Sequence, residues 1–342
     1  MKIANRQIGK EAFPLIIAEL GINHGGNLAL AKKMIEAAAK SGCEAIKHQT
    51  HFIDDEMTED AKKIIPPNAD KSIWEIMEKC SLTKDEEVSL KKFTEDLGMI
   101  YISTPFSRKA ADFLAEIQIP AFKIGSGECD NLLFVEHIAS MGKPIILSTG
   151  MQNSSSIETP VKIIESFKVD YAILECTNIY PCPPDQISLG SITDLYSKFP
   201  KAEIGFSDHS VGPEMALASV AMGATIIEKH FTDTKTRQGP DISCSMDPTE
   251  LKYLIEKSRD ISLARERKKF VAETEKEVYK FARSSVVADI DISKGSLFTK
   301  ENIWARRPGN GEIPGYQYKK VIGKKARNAI KRNQQIKWAD IE

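Results

Sequence analysis

Along the chain, short apolar runs alternate with longer stretches whose apolar positions recur every three to four residues. The runs are LIIAEL from Leu15, EAIKHQ from Glu44, IYISTPF from Ile100, AFKIG from Ala121, PIILST from Pro144, YAILECT from Tyr171, EIGFSD from Glu203 and TIIEKHF from Thr225. They are nearly continuous in apolar character, as strands buried on both faces are. Between them lie amphipathic helix patterns. NLALAKKMIEAAAKSG opens on Asn27, an N-cap residue, and closes on Gly42; KDEEVSLKKFTEDLG is acidic in its first turn and ends at Gly98. SRKAADFLAEI, NLLFVEHIASMG, SIETPVKIIESF, LGSITDLYSKF and PEMALASVAMG follow, and Pro248 to Arg265 supplies an eighth. The stretch from Asp54 to Leu82 exceeds a simple loop and reads as an active-site excursion with its own short helix.

Eight strand-then-helix units in series predict an α/β fold of the TIM (β/α)8 barrel type over residues 1–268. The alternative, an open doubly wound sheet of the dinucleotide-binding kind, lacks its GxGxxG after the first strand. A charged linker, residues 269–283, follows the last helix. From 284 to 342 the texture changes to short β-like runs, turn glycines and little helix, which predicts a separate small C-terminal domain.

The chain of 342 residues accommodates one large and one small domain. Its net charge of -1 argues against a nucleic-acid partner for the molecule as a whole. The charge is unevenly spread: residues 284–342 hold 12 Lys/Arg against 6 Asp/Glu, net +6, which leaves 35 against 42, net -7, for the rest. Such a basic module suits an anionic ligand or the acidic body of a second copy, although chance asymmetry of a soluble surface gives the same count. The six cysteines form no CxxC pair, and no apolar run reaches the ~18 residues of a membrane span. The expectation is a cytoplasmic protein with reduced thiols and no membrane partner.

In such barrels, catalytic groups sit where strands end. Here those ends are polar all round. Glu19 closes the first strand; Lys47, Gln49 and His51 the second; Ser103 and Thr104 the third; Lys123 and Ser126 the fourth, with Glu128 beyond. Ser148 and Thr149 close the fifth, Thr177, Asn178 and Tyr180 the sixth, Ser207, Asp208 and His209 the seventh, and Glu228, Lys229, His230 and Asp233 the eighth. A single lysine at a strand end is commonly ion-paired or snorkelling. Lys47 and Lys123 together, among the hydroxyls of Thr104, Ser126, Ser148 and Ser207, suit a phosphate and carboxylate cradle. His209 and His230 end adjacent strands, about 4.8 Å apart, and fit one divalent metal such as Mn²⁺; two structural histidines bonded to loop backbone are the alternative. His48 alternates with Lys47 and Gln49 and so faces away from them; mid-helix His137 reads as a surface residue. Glu19 is placed as a general acid/base or as a lysine partner. Asp241, in QGPDISCSMD, is either a sugar ligand or a turn residue after Gly239-Pro240.

The motifs GINHGGN (Gly21), KHQTH (Lys47), STPFSR (Ser103), KIGSGE (Lys123), STGM (Ser148), CTNIYP (Cys176), GFSDHS (Gly205), EKHFTD (Glu228) and GPDISCSMD (Gly239) resemble those of the sialic acid synthases, bacterial N-acetylneuraminate synthase above all. RRPGNG from Arg306 is similar to that family's antifreeze-like (SAF) domain. The resemblance implies condensation of phosphoenolpyruvate with N-acetylmannosamine and water to N-acetylneuraminic acid and phosphate, by a domain-swapped homodimer. It implies phosphoenolpyruvate held by Lys47, Thr104, Lys123, Ser126, Ser148, Asn178, Ser207 and His209. The metal would be Mn²⁺, with Mg²⁺ or Co²⁺ as alternatives, on His209 and His230. The sugar would meet Glu19, Gln49, Tyr180 and Asp241, with the partner subunit's Arg307 reading the N-acetyl group. Glu19 and His230 are the catalytic candidates. Some relatives carry phenylalanine where this chain has Arg283, and Arg283 is given no role. The alternatives are a legionaminic or pseudaminic acid synthase using a 6-deoxy di-N-acetyl hexose, and a non-catalytic sugar-binding protein. A synthase acting on erythrose phosphate would need a second basic cluster, which the loops do not supply.

Overall fold

In a computed structural model, residues 1–66 and 70–342 are described. They divide into two compact units, Met1–Glu266 and Arg267–Glu342.

The first unit is a closed barrel of eight parallel strands: Leu15–Glu19, Ala45–Thr50, Ile100–Pro105, Phe122–Ile124, Ile145–Ser148, Tyr171–Cys176, Glu203–Asp208 and Ile226–His230. Each strand falls within one of the apolar runs except the second, which continues one residue past its run to Thr50, and the last closes on the first through His230 opposite Glu19. Period-two alternation sorts the strand residues into two cores. Ile16, Ile46, Tyr101, Phe122, Ile145, Leu147, Ile173 and Phe206 face outward and pack under the helices. Leu15, Ile17, Ala45, Ile102, Ala121, Ile146, Ala172, Leu174 and Ile226 fill the interior. Gly205 lies in this interior because any Cβ there would overlap the Ile226 carbonyl and the Leu174 side chain. A short N-terminal hairpin, Lys2–Ile3 with Arg6–Gln7, joins the inner core through buried Ile3 and Ile8. The lower barrel is therefore solid and hydrophobic, and the polar residues of the same inward rows are left at the carboxyl ends of the strands.

The helices match the 3.6-residue pattern. Leu28–Lys40 is capped by the Asn27 side chain, Lys84–Asp96 by a Thr83–Glu86 capping box, and Pro248–Arg265 by an Asp247–Glu250 box. Among its described residues, the excursion after the second strand holds two short helices, Ile53–Glu56 and Ile73–Cys80, and a 3-10 turn, Glu59–Lys63; one helix was expected. No described helix is long and apolar enough to cross a membrane.

The second unit packs Val286, Ala288, Phe298, Ile303, Ile313 and Ile336 around an antiparallel ribbon, Ser285–Ala288 with Ile303–Arg306. The segment read from sequence as a plain linker contains a helix, Glu275–Ala282, whose Lys280 carbonyl accepts from the Gly309 amide. Dense charge conceals it in the sequence, yet Glu273–Lys276 and Glu277–Lys280 are ion pairs at helical spacing.

Candidate active site at the barrel mouth

The strand ends bring Glu19, Lys47, Gln49, Thr104, Lys123, Ser126, Ser148, Asn178, Tyr180, Ser207, His209 and His230 around one cavity. Their shared parity is the cause: residues two apart on a strand point the same way, so Lys47 and Gln49, or Glu228 and His230, enter the barrel together. The lysines are buried, at 3% exposure each, which requires charge partners. Glu19 Oε2 lies 2.8 Å from Lys47 Nζ, and Lys47 also donates to Thr104 Oγ1 at 3.0 Å. Glu228 Oε1 stands between the lysines, 3.6 Å from Lys47 and 3.5 Å from Lys123, and accepts from Ser207 Oγ.

The electrostatics follow from this square of charges. Burial works against the Lys47 ammonium, but Glu19 and Glu228 outweigh it and its pKa ends above the ordinary lysine value. Lys123 has less compensation: burial dominates, Glu228 offsets part of it, and the pKa ends below that value. Burial pushes the Glu228 carboxyl upward, but Lys123 and Lys47 reverse this and leave it lowered. With all four groups ionised the cluster is neutral, and an entering anion meets two ammonium groups and the Ser148 hydroxyl, which is buried without a hydrogen-bond partner. Gly150 sits against this wall. Its amide donates to Ser126 Oγ at 3.0 Å, and a Cβ there would collide with Asn178 Oδ1.

The histidine pair occupies the other side, with ring centroids 5.6 Å apart. His209 Nδ1 lies 2.8 Å from the Thr177 carbonyl, which fixes the proton on Nδ1 and leaves the Nε2 lone pair free. His230 Nδ1 is buried without a hydrogen-bond partner. Burial, reinforced by His230, depresses His209 to about 3; burial depresses His230 to about 4. Both rings are therefore neutral donors near pH 7, the form a divalent cation needs. Among the described residues no group of three or more His, Cys, Asp and Glu side chains forms a ready metal cage. Tyr180 covers His209 at 4.0 Å between ring centroids.

Asp241 stands just outside the ring, its Oδ2 3.9 Å from His230 Nδ1, and burial raises its carboxyl to about 6. Gly21, at φ +52°, lets the first loop pass beside both groups. Arg307 belongs to the second unit, directly after the strand Ile303–Arg306.

Several polar residues at the strand ends point elsewhere. Lys229 pairs with Asp208 at 2.9 Å, with both side chains fully buried on the outer face of the sheet. Ser103 turns outward to Glu87, and His48 meets His24 (Nε2 to Nε2, 3.0 Å) behind the barrel. His137 lies on a surface helix against Asp112. Glu228 and Cys176 line the cavity but were not among the expected site residues. Glu228 has the parity of His230 and could have been found by counting alternate positions; the thiol carries no such signal.

A closed α/β barrel whose mouth joins two buried, ion-paired lysines to a neutral histidine pair defines the class: a TIM barrel with an enzyme-like polar site at the carboxyl ends of its strands. The particular family follows from comparison: the sequence profile of the NeuB family matches residues 34–270, and that of the SAF domain matches residues 283–342. The chain belongs to the NeuB family, that of the sialic, legionaminic and pseudaminic acid synthases. It is 37% identical to the N,N'-diacetyllegionaminic acid synthase of Campylobacter jejuni, over 94% of this chain and 98% of that protein. It is 34% identical to the pseudaminic acid synthase of the same organism, over the whole of both chains. Among solved structures, the N-acetylneuraminic acid synthetase of Leptospira borgpetersenii, in complex with citrate, superposes with a TM-score of 0.75 at 33% identity, covering 81% of this chain and 94% of that one.

Proposed function

We propose that this protein condenses phosphoenolpyruvate with the aldehyde of an N-acetylated amino-hexose, giving a nine-carbon sialic-type acid and phosphate. The observation that carries the reading is the pair of buried lysines, balanced by Glu19 and Glu228, opposite the neutral imidazoles of His209 and His230.

In this reading Lys47 and Lys123 hold the phosphate and carboxylate, helped by Thr104, Ser126, Ser148, Asn178 and Ser207, in a buried site where each contact is strengthened. Glu19 and Gln49, hydrogen-bonded at 2.9 Å, face the sugar with Tyr180 and Asp241. Glu19 handles the proton at the new hydroxyl. His209 and His230 would hold a divalent cation, Mn²⁺ first and Mg²⁺ or Co²⁺ next. Such an ion supplies Lewis-acid polarisation of the aldehyde oxygen.

The working unit in this reading is a homodimer in which the basic C-terminal domain covers the acidic barrel of a second copy, bringing the partner subunit's Arg307 to the sugar. The opposite net charges of the two segments, +6 and -7, support it. The six free cysteines suit a cytoplasmic enzyme.

The acceptor is N-acetylmannosamine in the reading drawn from the motifs. A 6-deoxy di-N-acetyl hexose is the second reading, favoured by the 37% identity to a legionaminic acid synthase. Incubation of the purified protein with phosphoenolpyruvate, Mn²⁺ and each sugar, following phosphate release, decides between them. Release with neither sugar would refute both.

A further inference from the structure

The segment after the second strand turns at once into the helix Ile53–Glu56, which brings Glu56 back against His51. His51 Nδ1 lies 2.8 Å from Glu56 Oε2, and the two side chains are 2% and 10% exposed. The other ring nitrogen, Nε2, lies 3.1 Å from Gln49 Oε1. Gln49 Nε2 donates to Glu19 Oε1 at 2.9 Å, while Glu19 Oε2 is ion-paired with Lys47. The His51 ring is stacked on Phe106, with centroids 4.4 Å apart and planes 13° from parallel.

Counting donors and acceptors along this chain leaves one consistent arrangement. A carboxylate can only accept at Nδ1, and an amide oxygen can only accept at Nε2, so the ring donates at both nitrogens. Turning the Gln49 amide over would let a neutral ring accept, but it would set the amide oxygen 2.9 Å from the Glu19 carboxylate, acceptor against acceptor. Glu19 is ion-paired with Lys47 at 2.8 Å, so the turned amide would point its oxygen at an ion-paired carboxylate. The face of Phe106 is a favourable surface for a cationic ring. Of the titratable groups nearby, His24 of the first loop is depressed to about 3 by burial and by the neighbouring His48 and stays neutral, and Glu128, within electrostatic reach of Glu56, is raised by burial.

We propose that His51 is held doubly protonated between Glu56 and Gln49, and that it is a positioning residue fixing the Gln49 amide, and through it the Glu19 carboxylate, for the acceptor sugar. The claim about the sugar rests on the proposed function; the claim about the protons does not. The Gln49 amide gains and loses no proton near neutral pH, so the chain orients Glu19 and does not relay protons to it. Glu56, at the start of the excursion, would thereby act on sugar recognition from outside the cavity lining.

The test uses the full-length protein with ¹⁵N-labelled histidine. The chain has six histidines, and His51→Asn assigns the resonances of His51. At pH 7.5 both His51 nitrogens are expected in the protonated range, and in Glu56→Gln one of them moves to the unprotonated range. Steady-state kinetics, with whichever of the two sugars turns over, should show a rise in acceptor KM of about tenfold to a hundredfold in His51→Asn, the scale of losing a hydrogen bond to a charged group. Glu56→Gln should show a smaller rise, and KM for phosphoenolpyruvate should stay within about twofold in both. A singly protonated His51 in the wild type, or a spectrum unmoved by Glu56→Gln, overturns the proton assignment. Equal changes in both KM values, or none, overturn the positioning role. If the wild type turns over neither sugar, the synthase reading fails while the spectra still decide the protonation of His51.

Discussion

Replacing Glu228 by Gln would remove the carboxylate that stands between Lys47 and Lys123 while keeping its shape. At 3.6 and 3.5 Å, an effective dielectric constant of 20 puts each attraction at about 5 kcal/mol before desolvation is counted. Lys47 retains Glu19 at 2.8 Å, but Lys123 has no other ion-pair partner among the described residues. Lys123 then either stays charged and uncompensated, which costs about 3–5 kcal/mol, or sheds its proton. Neutralising a lysine at pH 7 against an unfolded pKa near 10.4 costs at most about 4.6 kcal/mol. Both routes put the destabilisation of Glu228→Gln near 3–5 kcal/mol. The second leaves a signature. Burial already lowers Lys123, and loss of Glu228 lowers it further, so the unfolded chain binds more protons and stability rises with pH. Between pH 7 and pH 9 the variant should recover up to about 2.7 kcal/mol relative to wild type. Urea unfolding at the two pH values measures this. Where Lys123 stays charged instead, the variant's cradle carries one more net positive charge, and inorganic phosphate should stabilise it more than the wild type. A variant with wild-type midpoints at both pH values and an unchanged response to phosphate would refute the charge-square account.

Three further outcomes follow from the same structure. His24 is depressed to about 3, so its contribution to stability is full above its unfolded value near 6.5 and is lost as pH falls toward 3; between pH 7 and pH 5, His24→Asn should lose about 2 kcal/mol less than wild type, and parallel pH curves would contradict the burial argument. Gly205→Ala puts a methyl group against the Ile226 carbonyl and Leu174 inside the barrel, and should cost about 3 kcal/mol or more by denaturant unfolding; a loss below about 1 kcal/mol would mean that the inner core has slack. His230→Ala should weaken Mn²⁺ binding by at least about tenfold in calorimetric titration, the scale on which even outer-shell changes act, and an unchanged affinity would remove the histidine pair as the metal seat.

How much of this was legible before the fold was known depends on residue parity. Every barrel strand falls within a run read from apolar character, save for Thr50 at the end of the second, because strands covered on both faces need apolar residues at nearly every position. Lys47 and Gln49 converge, and His48 turns away to His24, as alternation requires. The same rule separates Glu228 and His230, which line the cavity, from Lys229, which is locked to Asp208 behind the sheet. What alternation cannot supply is pairing across strands. That Glu228 serves two lysines from other strands is set by the closure of the barrel, not by its neighbours in sequence. Nor can it reveal His51 and Glu56, whose meeting depends on how the chain turns after the strand. The N-terminal hairpin buries Ile3 and Ile8 in the inner core, with Met1 half-buried against it, too short a pattern to read as strands.

Running the reaction in H₂¹⁸O with phosphoenolpyruvate, Mn²⁺ and the accepted sugar tests the central claim most directly. Condensation at carbon 2 with C–O cleavage predicts ¹⁸O in the sugar acid and unlabelled phosphate, released in equal amounts and only when the sugar is present. Labelled phosphate would mean attack at phosphorus, and release that does not depend on the sugar would mean hydrolysis without condensation; either would contradict the assignment of the barrel mouth to C–C bond formation.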